Sequence, residues 1–270
     1  LVNQTARSWV AVLLLAAVVL TTCAWLRGGE YDEQYTLFLT AGTTRPAWPD
    51  TAFPADTIAR VQSGHASLGQ IAHDLRTTDV HPPLYFWMIS LWRSVFGPSL
   101  FAARLFSVLC AIVALSAVGV IARRSGIRPV LAMLLTLGSY GFVYTGVVAR
   151  GFAPAQALTL CGVALLTGPG GRFATLSAGA LFGAACCCNY LAVFVCATVA
   201  ALVGGWLILP GAIPFLALDG WFFAAQHGAR VGQFPPFSLL AALPRLGSYQ
   251  VAAMFGGLPL CFEGIARIVV

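Results

Sequence analysis

The sequence has no lysine: all fifteen of its basic residues are arginine, and only 9% of its 270 residues are charged. Soluble domains carry about 25% charged residues, so this scarcity excludes an ordinary soluble globular domain. The formal net charge of +6 comes from scattered arginines rather than a basic patch, which argues against a nucleic-acid partner. Acid is scarcer still, with no Asp or Glu between Asp79 and Asp219. The eight cysteines all fall in or beside apolar runs and none sits in a polar loop, which argues against a disulfide framework. No Cys/His spacing matches a zinc site. In "CCCNY" the thiols of Cys186, Cys187 and Cys188 would point in different directions on a helix, so they read as packing residues.

What the chain has in quantity is apolar sequence, at 59% of its residues. That composition defines an all-α polytopic membrane protein, read as a single transmembrane domain over residues 1–270. At roughly 20 apolar residues per spanning helix, it holds about six or seven crossings and one sizeable loop. Residues 9–26 form the first apolar run, with Arg7 before it and Trp9 and Trp25 near its ends, as an interfacial belt requires. A cleaved signal peptide is the rival reading of this run. Further spans are expected at residues 99–122, 130–148, 152–166, 173–188, 191–203, 206–223 and 239–260. The arginine-bearing turns 122–128 and 168–172 read as cytoplasmic by the positive-inside rule, which puts the loop of residues 27–98 outside. The apolar stretch 191–223 must hold two helices with only Gly204 and Gly205 between them. The sequence stops soon after its last apolar run, and the expectation is that a C-terminal part of a longer protein is missing.

Within the long loop, residues 27–80 carry seven of the nine acids. Ile58, Val61, Leu68, Ile71 and Leu75 recur at near-helical spacing, interrupted by Gly64 and Gly69, which predicts short amphipathic helices lying on the bilayer surface. "HPPLYFWMISLWRSVFG" then opens on two prolines and continues for about fourteen aromatic-rich residues, too few to span. It predicts an interfacial or shallowly re-entrant helix.

The stretch "GGEYDEQYTLF" packs Glu30, Asp32 and Glu33 against the end of the first apolar run. One reading is a helix start whose acids complement the helix dipole; the other is catalysis. The order of a first helix, "YDE", "HPPLYFWMISLW", "FGPSLFAARLFS", a helix ending in "ARR", and "YGFVYTGVVARGFA" resembles the polyprenol-dependent glycosyltransferases of the GT-C fold. The nearest branch is the bacterial relatives of protein O-mannosyltransferases and of lipid A aminoarabinose transferases, and the resemblance covers residues 9–236. It implies that Asp32 and Glu33 are catalytic and that the donor is a polyprenyl-phosphate-linked sugar. It further implies that the protein sits among the lipids of the bacterial cytoplasmic membrane with its active site facing outside. The acceptor, a glycan, lipid or protein, is not specified, and no cofactor beyond the lipid-linked donor is expected.

The chemistry agrees with that implication. A phosphate leaves as a stable anion and needs no proton, whereas the attacking acceptor needs a base. Asp32, next to the membrane exit, is the expected base of a single displacement that inverts the anomeric carbon, and Glu33 would orient the acceptor or assist. Stabilisation of the leaving phosphate is expected from His81, Arg150 and Arg104. Each has a second reading: His81 as a cap of the helix after it, Arg150 as a headgroup-snorkelling residue, and Arg104 as a structural charge that must be paired in its apolar run. One departure from the family stands out. Where relatives carry a second acid, this chain reads "VVARGFAP", which weakens any mechanism that needs two separated carboxylates or a divalent metal. A non-catalytic membrane partner or scaffold of the same fold is therefore the alternative function, and a transporter is a third.

Overall fold

The computed structural model describes residues 2–43, 51–52, 54–203, 205–231 and 238–255, and all regular structure among them is helical. The chain runs through α1 (Val2–Leu26), α2 (Tyr31–Ala41), α3 (Ala55–Gln62), α4 (Leu68–Thr77) and α5 (Pro83–Phe96) before the long central α6 (Leu100–Arg124). It continues through α7 (Pro129–Leu137), α8 (Tyr140–Val147), α9 (Phe152–Leu166), α10 (Arg172–Cys188) and α11 (Ala192–Val203). The described chain closes with α12 (Ile208–Ala225), the single turn α13 (His227–Arg230) and α14 (Leu239–Phe255).

Among the described residues, three helices are long and apolar enough to cross a membrane: Arg7–Leu26 within α1, then α6 and α12. The span expected over 130–148 is instead a pair, α7 and α8, bent by 69°. The break has a local cause. Gly138 ends α7, and the Ser139 hydroxyl accepts from the Phe142 amide and starts a new helix. Counted as one broken span, this pair is the fourth crossing, while α9, α10 and α11 are shorter apolar helices packed within the bundle. The two helices expected within 191–223 are both present as α11 and α12. The last expected span is helical to Phe255, and its remainder, like Cys261, lies outside the described residues.

Small residues let these helices approach closely, the means by which helices associate without a hydrophobic drive from water. On α10, Gly179 lies against the Ile208 carbonyl of α12, and Gly211 of α12 lies against the Leu176 carbonyl. A Cβ on either glycine would come within 2.0 Å of that oxygen, so the seam closes only without side chains there. The cysteines fill the same role: Cys186, Cys187 and Cys188 are buried at the end of α10, and no disulfide forms among the described residues. Leu14, Val18, Leu135 and Phe194 stand outward on the bundle, as lipid-facing residues do.

At one end of the bundle the start of α6 meets the end of α1 through Arg104, the turn between α8 and α9 lies against Glu33 and the Cys188 carbonyl at the end of α10, and Gln226 at the end of α12 reaches His81 O. The arginine-bearing turns predicted to share a side do lie together at the other end. Arg123 sits over the Trp9 ring, and Arg124 donates to the Ala164 carbonyl. The acidic loop covers the first end. Its two predicted amphipathic segments are α3 and α4, and α4 packs on α5 and α12 with Ile71 and Leu75 fully buried. Gly69 does not interrupt α4; Ser67 caps it by accepting from the Gln70 amide at 3.1 Å. At 14 residues, α5 is about 21 Å long at 1.5 Å per residue, short of the ~30 Å hydrocarbon layer.

Arg93 ties this layer together. It is buried, and it donates to Leu37 O and Thr40 Oγ1 near the end of α2, to Gln62 O at the end of α3 and to Pro98 O after α5. Acceptors near the ends of α2 and α3 and in the turn after α5 thus converge on one guanidinium, and they compensate a cation that has no carboxylate partner among the described residues.

Candidate functional site

Two acids adjacent in sequence take opposite environments at the start of α2. Neighbours on a helix point about 100° apart, so one faces into the protein and the other out. Glu33 is fully buried. Its Oε1 accepts from Arg104 Nε at 2.8 Å and from the Ala149 amide at 2.8 Å. Its Oε2 accepts from Arg104 Nη2 at 2.5 Å and from the Glu30 amide at 3.0 Å. Arg104 gives its other N–H groups to the carbonyls of Ala24 at 2.9 Å, Arg27 at 2.7 Å and Gly28 at 2.7 Å. All five N–H groups of this guanidinium are therefore engaged. The pair pins the α1–α2 turn to α6 and to the 148–151 turn, and it stands behind the site with no N–H left over for a phosphate.

Asp32 faces the other way, with its side chain 62% exposed. It lines a cavity of about 650 Å³, together with His81, Tyr85, Arg150, Tyr190 and Arg230. Arg150, nearly buried, bridges the wall of this cavity. Its Nη1 donates to the Asp32 carbonyl at 3.0 Å, its Nη2 donates to His81 Nε2 at 2.6 Å, and the same Nη2 lies 3.9 Å from Asp32 Oδ2. The other N–H groups of Arg150 have no protein acceptor among the described residues. Arg150 owes its place to Gly151, where a Cβ would meet the Cys188 carbonyl at 2.1 Å; only glycine lets this turn lie against the end of α10.

Three of the five expected site residues, Asp32, His81 and Arg150, therefore meet in one cavity, while Glu33 and Arg104 form the buried pair behind it. Two further groups belong to the site and were not singled out from the sequence. Asp79, with its side chain only 10% exposed, accepts from His81 Nδ1 at 2.5 Å and from the Val80 amide at 2.5 Å. Burial pushes this carboxyl upward, but the hydrogen bond and charge of His81, the Val80 amide and the charge of Arg150 outweigh it and hold Asp79 below the ordinary carboxylate range. Arg230 lies 3.5 Å over the centre of the Phe223 ring and donates to Gln226 Oε1 at 2.8 Å. Gln226 is fully buried and donates to Leu75 O and His81 O, so the end of α12 also fixes the backbone of the "HPP" turn.

A second cavity of about 430 Å³ adjoins the first and shares Phe152, Asn189 and Leu191 with it. Its walls come from α8, α9, α11 and the turn before α11, with Leu160, Ala192 and Val195 setting an apolar character and Thr145, Gln156, Thr159 and Asn189 the polar exceptions. Among the described residues, no group of three or more His, Cys, Asp or Glu is placed to hold a metal ion.

A helical bundle with membrane-spanning helices, a cavity lined by Asp32, His81, Arg150 and Arg230 at one end and a more apolar cavity beside it defines a multi-pass membrane protein with a polar site at the bundle end. The family model for dolichyl-phosphate-mannose-protein mannosyltransferase matches residues 80–224, more than half of the chain, and the chain belongs to that family. It is accordingly a membrane glycosyltransferase of the GT-C type, and the resemblance read from the sequence holds. The matched residues include His81, Arg104 and Arg150, whereas Asp32, Glu33, Asp79 and Arg230 lie outside them. Comparison with curated proteins and comparison with solved structures return no match.

Proposed function

We propose that this protein transfers a sugar from a polyprenyl-phosphate-linked donor to an acceptor on the external side of the bacterial cytoplasmic membrane, with inversion at the anomeric carbon. The observation that carries this reading is Arg150, which joins the backbone of Asp32 to His81 on the wall of one cavity and keeps N–H groups to spare. A phosphate held by the spare N–H groups of Arg150, which His81 orients, would set the anomeric carbon near Asp32, whose carboxylate is free to take the acceptor's proton as the acceptor attacks. The bond from the anomeric carbon to the phosphate oxygen breaks as the new glycosidic bond forms, and the lipid phosphate departs as an anion. The adjoining apolar groove gives the isoprenoid chain a path out of the cavity towards lipid. In this reading Glu33 and Arg104 are positioning residues, and the arginine-rich opposite end faces the cytoplasm.

The donor-binding part is tested with purified His81→Ala and Arg150→Ala variants and a short-chain polyprenyl phosphate. A charge-assisted hydrogen bond contributes about 1.5–3 kcal/mol, so affinity should fall about 10- to 150-fold in Arg150→Ala, and thermal unfolding should move little. Unchanged affinity in both variants would remove these residues from the donor site. The missing acid in "VVARGFAP" keeps one second reading alive, a non-catalytic partner that binds the lipid but transfers nothing. Absence of transfer by the parental protein, with donor binding intact, would favour it.

A further inference from the structure

We infer that Asp79 is a positioning residue: it supports His81 as the Nδ1–H tautomer and thereby aims Arg150 at the donor phosphate, an inference that rests on reading Arg150 as the phosphate-binding residue. The argument starts from Arg150, because a guanidinium can only donate. Its Nη2 is 2.6 Å from His81 Nε2, so that nitrogen presents a lone pair, and the imidazole proton sits on Nδ1. Nδ1 in turn lies 2.5 Å from Asp79 Oδ1, an acceptor on a largely buried side chain. The three groups form a single directed chain, with Arg150 donating to His81 and His81 donating to Asp79. Without the carboxylate, only the Arg150 contact still favours the proton on Nδ1, and that N–H is left with no acceptor. A proton on Nε2 would face the N–H of Arg150, and the two donors would push the guanidinium off its place beside Asp32. The Val80 amide shares Oδ1 with His81, and a residue that served only as a local cap of this turn would need that contact alone. The two roles are separable, because the contact to His81 reaches two residues along the chain and that to Val80 only one.

The experiment uses the full chain in lipid nanodiscs with ¹⁵N-labelled histidine. The chain has four histidines, so the His81 signals are assigned by their loss in His81→Ala. Asp79→Ser keeps a hydroxyl that can cap the Val80 amide but is too short to hold His81, while Asp79→Asn keeps an acceptor oxygen at the original reach. The parental protein and Asp79→Asn should both show protonated Nδ1 and unprotonated Nε2. In Asp79→Ser the proton should move to Nε2 in a large fraction of molecules, and affinity for a short-chain polyprenyl phosphate should fall at least fivefold. A parental-like Nδ1–H signal in Asp79→Ser would overturn the assignment, as would an Nε2–H signal in the parental protein. If Asp79→Ser does not fold, a parental Nδ1–H proton shifted strongly downfield by its carboxylate acceptor, and moved back upfield in Asp79→Asn, supports the assignment, and an unmoved shift overturns it. A shifted tautomer with donor affinity unchanged would uphold the orientation of His81 and overturn the phosphate-site reading beneath it.

Discussion

Asp32→Asn should yield a folded protein that binds the lipid-linked donor at parental affinity and transfers sugar about 10²- to 10⁴-fold more slowly, the usual share of general base catalysis. The amide keeps the size of the side chain and an acceptor oxygen, and it removes the basic one. Folding should not suffer, because the Asp32 side chain is 62% exposed and its structural contact to Arg150 Nη1 runs through the backbone carbonyl. Donor binding should not suffer either, since the nearest approach of the carboxylate to Arg150 is 3.9 Å, at the outer edge of an ion pair. Transfer from the lipid-linked donor, measured beside donor affinity and thermal unfolding, checks all three. A parental rate in Asp32→Asn would withdraw the catalytic assignment, because the other acids near the cavity are engaged: Glu33 by Arg104, Asp79 by His81, and Glu30 by Arg27 and Tyr144.

How far the sequence reaches can be judged at that same acid pair. The two residues of the acid pair in "EYDE" take different environments. Glu33 does the work of a helix start, closing on the Glu30 amide, and Asp32 is left to the cavity. The acid pair was legible because it stands at the end of the first apolar run; which member turns inward was not, because that depends on Arg104, 71 residues further along. The charge inside an apolar run did signal that Arg104 must be paired. The identity of its partner needed the packing of α6 against the α1–α2 turn.

Other features were hidden for different physical reasons. Asp79 reads as merely the last acid of a polar loop, and its meaning comes from a turn that folds its carboxylate back onto the ring of His81. Arg230 follows an aromatic run by two turns, a spacing that allows the guanidinium to lie over Phe223, but that geometry needs the α12–α13 corner. The split of residues 130–148 carried a local signal in Gly138-Ser139, a helix stop followed by a helix start, which the continuous apolar pattern obscured. Periodicity did suffice for α3 and α4, since apolar residues on one face of a short polar helix have few places to be buried except against the bundle.

The largest effect on folding should come from breaking the buried pair behind the cavity. Glu33→Ala leaves Arg104 in a dry setting with only neutral carbonyls around it, and it orphans the Ala149 and Glu30 amides as well. Removing one partner of a buried ion pair costs about 3–5 kcal/mol, a large share of the roughly 5–15 kcal/mol that holds a typical protein folded. Arg104→Ala should be comparably harmful, because it strands a fully buried carboxylate and frees three carbonyls of the α1–α2 turn. The milder Glu33→Gln keeps acceptor and shape, and it should lower unfolding temperature less than Glu33→Ala. The double variant Glu33→Gln with Arg104→Met removes both charges and should be more stable than the two single losses added together, because neither charge is left alone. Thermal unfolding of the parental protein, Glu33→Gln, Arg104→Met and the double variant in one detergent measures this coupling. Additive losses would mean that the two side chains act independently, and that Asp32 and Arg150 owe their places to something other than this pair.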